Sequence, residues 1–287
     1  MNWHKFSPVV LTLLVFLLAQ GLGTILLLCV GMMVSPEFNA AIRAFVSGDA
    51  QNLPMFEQIP VSAFSLILMA VDIIAVLLCY FLLRNIRLVT AHDVASIRWR
   101  PGSIAILAGI LGAFCTSILT ENVPLPDVMQ QMSLAMAHNF WGLIAIVIVG
   151  PVTEELLFRE AIEGEMLRRG ASPWTAIIVS AIAFSIAHLN LAQGLYALPL
   201  AILFGIIYYK TRNILLTSLL HVLNNGIAAL QFRTFGEGIN DLSYADWFGG
   251  TKQACIAMLI TGVLSLILTK IFWDWSQSSE IQKNTHP

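Results

Sequence analysis

Eight apolar runs of roughly 15–26 residues make up most of this chain: Val9–Val34, Val61–Leu83, Gly102–Thr120, Phe140–Phe158, Trp174–Leu189, Leu195–Tyr209, Ile214–Leu230 and Ala254–Trp273. About 20 apolar residues carry a helix across the ~30 Å hydrocarbon core of a bilayer. Spanning barrel strands would instead alternate in polarity over ~10-residue pieces, and these runs do not. The expected fold is therefore all-α: a polytopic membrane protein of about eight transmembrane helices. Only 11% of the residues are charged and 57% are hydrophobic, whereas a soluble domain carries about 25% charged residues to clothe its surface. The net charge of −2, with no basic tail, gives no sign of a nucleic-acid partner. The first run continues to Val34, far beyond the ~7–15 residues of a signal-peptide core, and reads as a retained span.

The Lys and Arg residues set an orientation, because loops facing the cytoplasm carry an excess of them. With the N-terminus inside, twelve of the fifteen fall in inner segments and only Arg43, Arg233 and Lys252 fall outside. Eight spans with both termini cytoplasmic fit this asymmetry. There is no tandem repeat and no soluble domain. Residues 1–287 are expected to form one integral membrane domain, in the plasma (inner) membrane if the source is bacterial, with a motif-bearing core at about 140–230.

Within this apolar background the charged stretch Glu154 to Arg168 stands out. An ionisable group at mid-bilayer costs at least ~2.5 kcal/mol, so such groups mark function by default. Glu154 and Glu155 are adjacent, hence about 100° apart on a helix, which predicts different roles for them. Glu155 and Arg159 are i and i+4 in the favourable acid-before-base order, which predicts an ion pair. Glu154 is then left to face elsewhere.

Two histidines follow in later apolar runs. Glu154 and His188 are each 17 residues from Ala171, in the stretch Arg168-Arg169-Gly170-Ala171-Ser172-Pro173, whose residues signal a helix stop and turn. A continuous helix through the charged stretch, followed by that turn, would bring Glu154 and His188 to one height in an antiparallel hairpin. His221 enters its segment from the same side, at a depth of roughly 11 Å. Asn225 lies one turn further on the same face. Asp72, in the middle of the second run, reads as a polar link between helices, with a proton path as the alternative.

A carboxylate and two histidines in such a site suit a limited chemistry. The carboxylate can serve as general base toward water. A histidine can share that water or protonate a leaving amine, and a second histidine with an asparagine amide can stabilise an oxyanion. Glu154, His188 and His221 are also an acceptable ligand set for catalytic zinc. The His-Glu-x-x-His helix of the usual zinc proteases is absent, as are serine and cysteine nucleophile signatures.

The ordered triple of Glu-Glu-x-x-x-Arg (Glu154, Glu155, Arg159), Phe-x-x-x-His (Phe184, His188) and His-x-x-x-Asn (His221, Asn225) resembles the motifs of the CPBP family. That family comprises CAAX prenyl endopeptidases and bacteriocin-processing membrane proteases. The resemblance implies an intramembrane endopeptidase with eight helices. It implies Glu154 as catalytic base, His188 as its partner on water, His221 and Asn225 as the oxyanion site, and Glu155 and Arg159 as structural support. Zinc is a possible cofactor in such a family and a glutamate–water mechanism is the alternative. The expected partners are the lipid bilayer and a peptide or lipidated protein substrate. One departure is Glu160, where the motif leads one to expect a small residue after the arginine.

Two other functions fit parts of the pattern. A proton-coupled transporter would account for buried Glu and His but predicts internal repeats, which the sequence lacks. A non-catalytic membrane scaffold or immunity protein could keep the fold, but would be free to lose Glu154 or a histidine, and all are present.

Overall fold

The computed structural model describes residues 3–47, 59–87, 89–90, 93–94, 99–121, 123, 125–127, 129–236, 238 and 243–284, with side chains as far as residue 275. Arg98 and the side chain of Lys283, both used in the charge asymmetry, lie outside the described residues. The described chain is helical, without strands. The long helices are α1 (Trp3–Val34), α3 (Val61–Leu83), α4 (Trp99–Glu121), α6 (Phe140–Arg168), α8 (Leu191–Thr211), α9 (Ile214–Phe235) and α11 (Thr251–Asn284). Shorter ones are α2 (Pro36–Ser47), α5 (Gln130–Ala137), α7 (Pro173–Ala187) and α10 (Tyr244–Phe248).

Seven of these helices are long and apolar enough to cross a membrane. Their outward faces carry large apolar side chains that water would not tolerate together, such as Leu22 at 68%, Leu82 at 71% and Leu266 at 72% exposure. The fifth expected span, α7, is apolar but only 15 residues long, which rises about 22 Å. Its brevity has a local cause. Leu189 takes a left-handed φ of 50° and α8 begins two residues later. Ser185 Oγ then donates to the Gly194 carbonyl at 2.7 Å, tying the two helices back to back.

The fourth expected span continues unbroken through the charged stretch, as α6. Two segments of α6, Ile144–Val149 and Leu156–Gly164, are wound more widely, with i→i+5 hydrogen bonds. Single wide turns of this kind are rare in helices and recur at functional sites. Pro151 accounts for the first of them in part, since it has no N–H to donate backwards and its ring crowds the preceding turn. At the start of α6, Asn139 caps the helix by accepting from Gly142 N at 3.1 Å. A side chain at position 142 would collide with the backbone of Met136, so the tight approach of α5 requires glycine there.

The turn after α6 forms where the sequence signals it. Gly170 adopts φ +76°, and the Ala171 N–H bonds the Met166 carbonyl at 2.9 Å. Ser172 caps α7 by accepting from Thr175 N. Here the charged end of α6 is tied to its neighbours. Arg168 bonds Glu160, Glu165 and the Asn85 carbonyl, each at 2.7 Å, and Arg169 bonds Ser7 Oγ at 2.6 Å. Glu160, the departure from the motif, is buried and also accepts from the Tyr208 hydroxyl. Gly164 makes room for that hydroxyl, since a Cβ there would approach it to 2.7 Å. In place of a small residue, this chain packs a carboxylate with two dedicated partners.

Candidate active site

The helices α1, α3, α5, α6, α7, α8 and α9 surround a cavity of about 330 Å³. Glu154, His188, His221 and Asn225 all line it, so the structure brings together the four residues singled out in the sequence.

Glu154 lies on α6 with its side chain 30% exposed, the most accessible acid of the motif. Glu155 has no exposed side-chain surface and pairs with Arg159, which has none either, at 3.4 Å. The predicted ion pair is therefore wholly interior. It is a charge contact without hydrogen-bond geometry: Glu155 Oε2 and Arg159 Nε have no hydrogen-bond partner among the described residues. Arg159 is placed by Ser180 of α7, whose Oγ takes a 3.4 Å bond from Nη1 and donates to the Phe158 carbonyl at 2.6 Å. Its guanidinium also sits over the Phe184 ring, 5.2 Å from the centroid.

His221 joins the two glutamates. Its Nε2 is 3.6 Å from Glu154 Oε2 and its Nδ1 is 3.1 Å from Glu155 Oε1. The two glutamates, expected to take different roles, thus share one imidazole. The reason is geometric: the two nitrogens of an imidazole lie on different sides of the ring, so one ring can bridge carboxylates that diverge from a helix. The rings of Phe184 and Phe204 flank His221 at centroid distances of 5.8 and 5.7 Å and fix its plane. When one nitrogen of a histidine is held by a carboxylate, the role of the other is set by that bond. Glu155 thus holds Nδ1, and Nε2 is turned to Glu154 and the cavity.

His188 sits at the C-terminal end of α7. Its Nδ1 is 2.9 Å from the Phe184 carbonyl, and the Phe184 ring meets it edge-on at 4.7 Å. The expected packing of Phe184 against His188 is present, and the same phenyl ring also touches His221 and Arg159. One phenylalanine thus supports three polar side chains.

Asn225 is oriented by a defect in α6. The wide winding sends the Gly150 N–H to the Ala145 carbonyl. In that register the Ile146 carbonyl would take the N–H of residue 151, which is proline and has none. Asn225 Nδ2 donates to the orphaned Ile146 carbonyl at 2.9 Å. Its Oδ1 accepts from Asn224, and Asn224 in turn accepts from Tyr196 of α8 at 3.0 Å. The second N–H of the Asn225 amide remains for the cavity.

Sequence reasoning missed part of this lining. Gln20 of α1 donates to Asp72 Oδ1 of α3 at 2.9 Å, the polar link between helices expected for Asp72, and both residues face the cavity. A lone glutamine within the first apolar run was the available signal. Gln193 and Tyr196 also line the cavity, and Glu163 is buried on the face of α6 that carries Glu155 and Arg159.

Among the described residues no group of three or more His, Cys, Asp or Glu side chains is gathered as a metal site. Nδ1 of His188 lies at a carbonyl and Nδ1 of His221 at the Glu155 carboxylate, which leaves Nε2 of each ring as the nitrogen open to a ligand.

The fold and the cavity define an integral, multi-pass membrane protein with a polar site enclosed between its helices. Residues 136–227, which hold every motif residue from Glu154 to Asn225, match the family described as Rce1-like, type II CAAX prenyl endopeptidase. That match supports the resemblance to the CPBP/CAAX protease family carried by the motifs. Neither a search of curated proteins nor one of solved structures gave a match.

Proposed function

We propose that this protein is an intramembrane endopeptidase that hydrolyses a peptide bond of a membrane-associated or lipidated peptide, with Glu154 activating the water. The observation that carries the reading is the arrangement of His221. One of its nitrogens is fixed by the interior carboxylate of Glu155, and the other faces the accessible carboxylate of Glu154 across the cavity.

In this reading Glu154 takes a proton from water held between it and His188, and the oxygen attacks the substrate carbonyl. The second N–H of Asn225 donates to the oxygen on which charge develops, as in oxyanion stabilisation, and His221 joins it there when Nε2 as well as Nδ1 carries a proton. The C–N bond then breaks, and the proton taken by Glu154 passes to the leaving amine. Glu155 and Arg159 act by holding His221. No step runs through a metal. The site lies between helices, so the substrate reaches it through the bilayer or its inner face. Both termini are placed on the cytoplasmic side by the Lys and Arg asymmetry, which protease accessibility in sealed vesicles tests. Residues 1–287 act as one domain, with the reactive core at about 140–230.

The test is cleavage of a fluorogenic peptide library by the purified protein in detergent. Wild type is expected to cleave and Glu154→Ala to be inert. Equal cleavage by the two would remove the assignment.

A further inference from the structure

Asp72 is used by no step of that mechanism, yet it faces the same cavity. It lies on α3, and its partner Gln20 lies on α1, both outside residues 136–227. Asp72 is only 8% exposed. Gln20 occupies Oδ1; Oδ2 is not among the fully buried unpartnered atoms and keeps surface open to the cavity that Asp72 lines. A carboxyl oxygen that opens on a largely apolar cavity is poorly solvated unless something pairs with it.

The cavity does not provide that partner. Two carboxyl groups, Asp72 and Glu154, line it, and no Lys or Arg does. Arg159 has no exposed surface and is committed to Glu155. His221 is held by Glu154 and Glu155. The wall near α1 and α3 is otherwise apolar, with Phe16, Phe64 and Leu68. Attraction between opposite charges is several-fold stronger in such surroundings than in water. An anionic group would meet two acids here. A basic side chain would lay its alkyl stem along the apolar wall and bring its charge to Oδ2.

Resting on the endopeptidase reading, we propose that Asp72, positioned by Gln20, is a specificity-determining residue that takes the cationic end of a Lys or Arg side chain of the peptide substrate. The site then selects a basic residue near the bond it cuts, in addition to any apolar anchor.

The test uses the purified full-length protein and peptides identical except at one position, which is Lys, N-acetyl-Lys or norleucine. Each is made with a free or an acetylated N-terminus. Wild type is expected to cleave the Lys peptide at least about tenfold better in kcat/KM than the norleucine peptide at one position, mostly through KM, as for loss of one partner of a buried charge pair. Acetylating the lysine should abolish the advantage, and acetylating the N-terminus should not. In Asp72→Asn, which keeps the bond to Gln20, the Lys to norleucine ratio should fall to within about twofold. Asp72→Glu, which keeps the charge, should retain the preference, and Asp72→Ser provides a second neutral variant should Asp72→Asn not fold.

The proposal is overturned if wild type shows no preference for Lys at any position, or if the preference survives in the neutral variants. A preference that tracks only the N-terminal amine also overturns it. Wild type cleaving none of the peptides, or Glu154→Ala cleaving them all, would instead overturn the endopeptidase reading. Loss of the lysine preference alone leaves that reading standing.

Discussion

Nδ1 of His221 lies 3.1 Å from Oε1 of Glu155, a carboxylate with no exposed surface that also faces Arg159 at 3.4 Å. A chain of interior contacts therefore runs from Arg159 through Glu155 to His221. Removing its middle member strands a guanidinium in the protein interior, and breaking one partner of a buried pair costs ~3–5 kcal/mol. Glu155→Ala is predicted to lower the unfolding midpoint in detergent markedly and to lose activity with it. Glu154→Gln should leave that midpoint close to wild type, since Glu154 is 30% exposed and has no part in the buried pair. Both outcomes are read by thermal or denaturant unfolding followed through tryptophan fluorescence.

Asn225 and Pro151 are coupled through the Ile146 carbonyl. On the proposed mechanism Asn225→Leu removes an oxyanion donor and is predicted to lower kcat by about 10²–10³-fold with little change in KM. Pro151→Ala supplies an N–H that competes for the Ile146 carbonyl. It should loosen Asn225 and reduce kcat by up to about 10²-fold, the scale of a small misplacement of a catalytic group. Steady-state kinetics of the two variants, alone and combined, checks the coupling: the double variant should be no worse than Asn225→Leu.

Glu160 depends on Tyr208 and Arg168. Tyr208→Phe deletes the hydroxyl and leaves part of a buried carboxylate unsatisfied, a loss of about 1–3 kcal/mol. A lowered unfolding midpoint with catalytic constants near wild type is the predicted pattern, because Glu160 points toward the Arg168 end of α6 and does not line the cavity.

Metal removal distinguishes the two mechanisms available to the family. On the proposed glutamate–water mechanism, dialysis against a strong chelator is predicted to leave the cleavage rate within about twofold, well inside the 10²–10⁴-fold reach of a lost general base. Elemental analysis of the same preparation should find far less than one zinc per chain.

Periodicity and geometry made much of this molecule legible in advance. The run lengths exposed the helices, and the i, i+4 spacing exposed the Glu155–Arg159 pair. Equal distances from Ala171 exposed the hairpin that carries Glu154 and His188. What stayed hidden depended on contacts between distant helices. Two adjacent glutamates on α6 gave no hint that one imidazole from α9 would touch both. Pro151 is visible in the sequence, but the carbonyl it frees becomes meaningful only once Asn225 is packed beside it. Gln20 and Asp72 are 52 positions apart, and no local pattern pairs them. The shortness of α7 was obscured because apolar composition continues through Leu189, while the chain itself turns there.

On the proposed mechanism Glu154 is the base that activates water, while Glu155 holds His221 and pairs with Arg159. The most direct measurement is the cleavage rate of one peptide by wild type and by folded Glu154→Gln, each confirmed by its unfolding midpoint. A fall of about 10²–10⁴-fold at an unaltered midpoint is predicted, the range expected for loss of a general base. Glu154→Gln cleaving at the wild-type rate would contradict it.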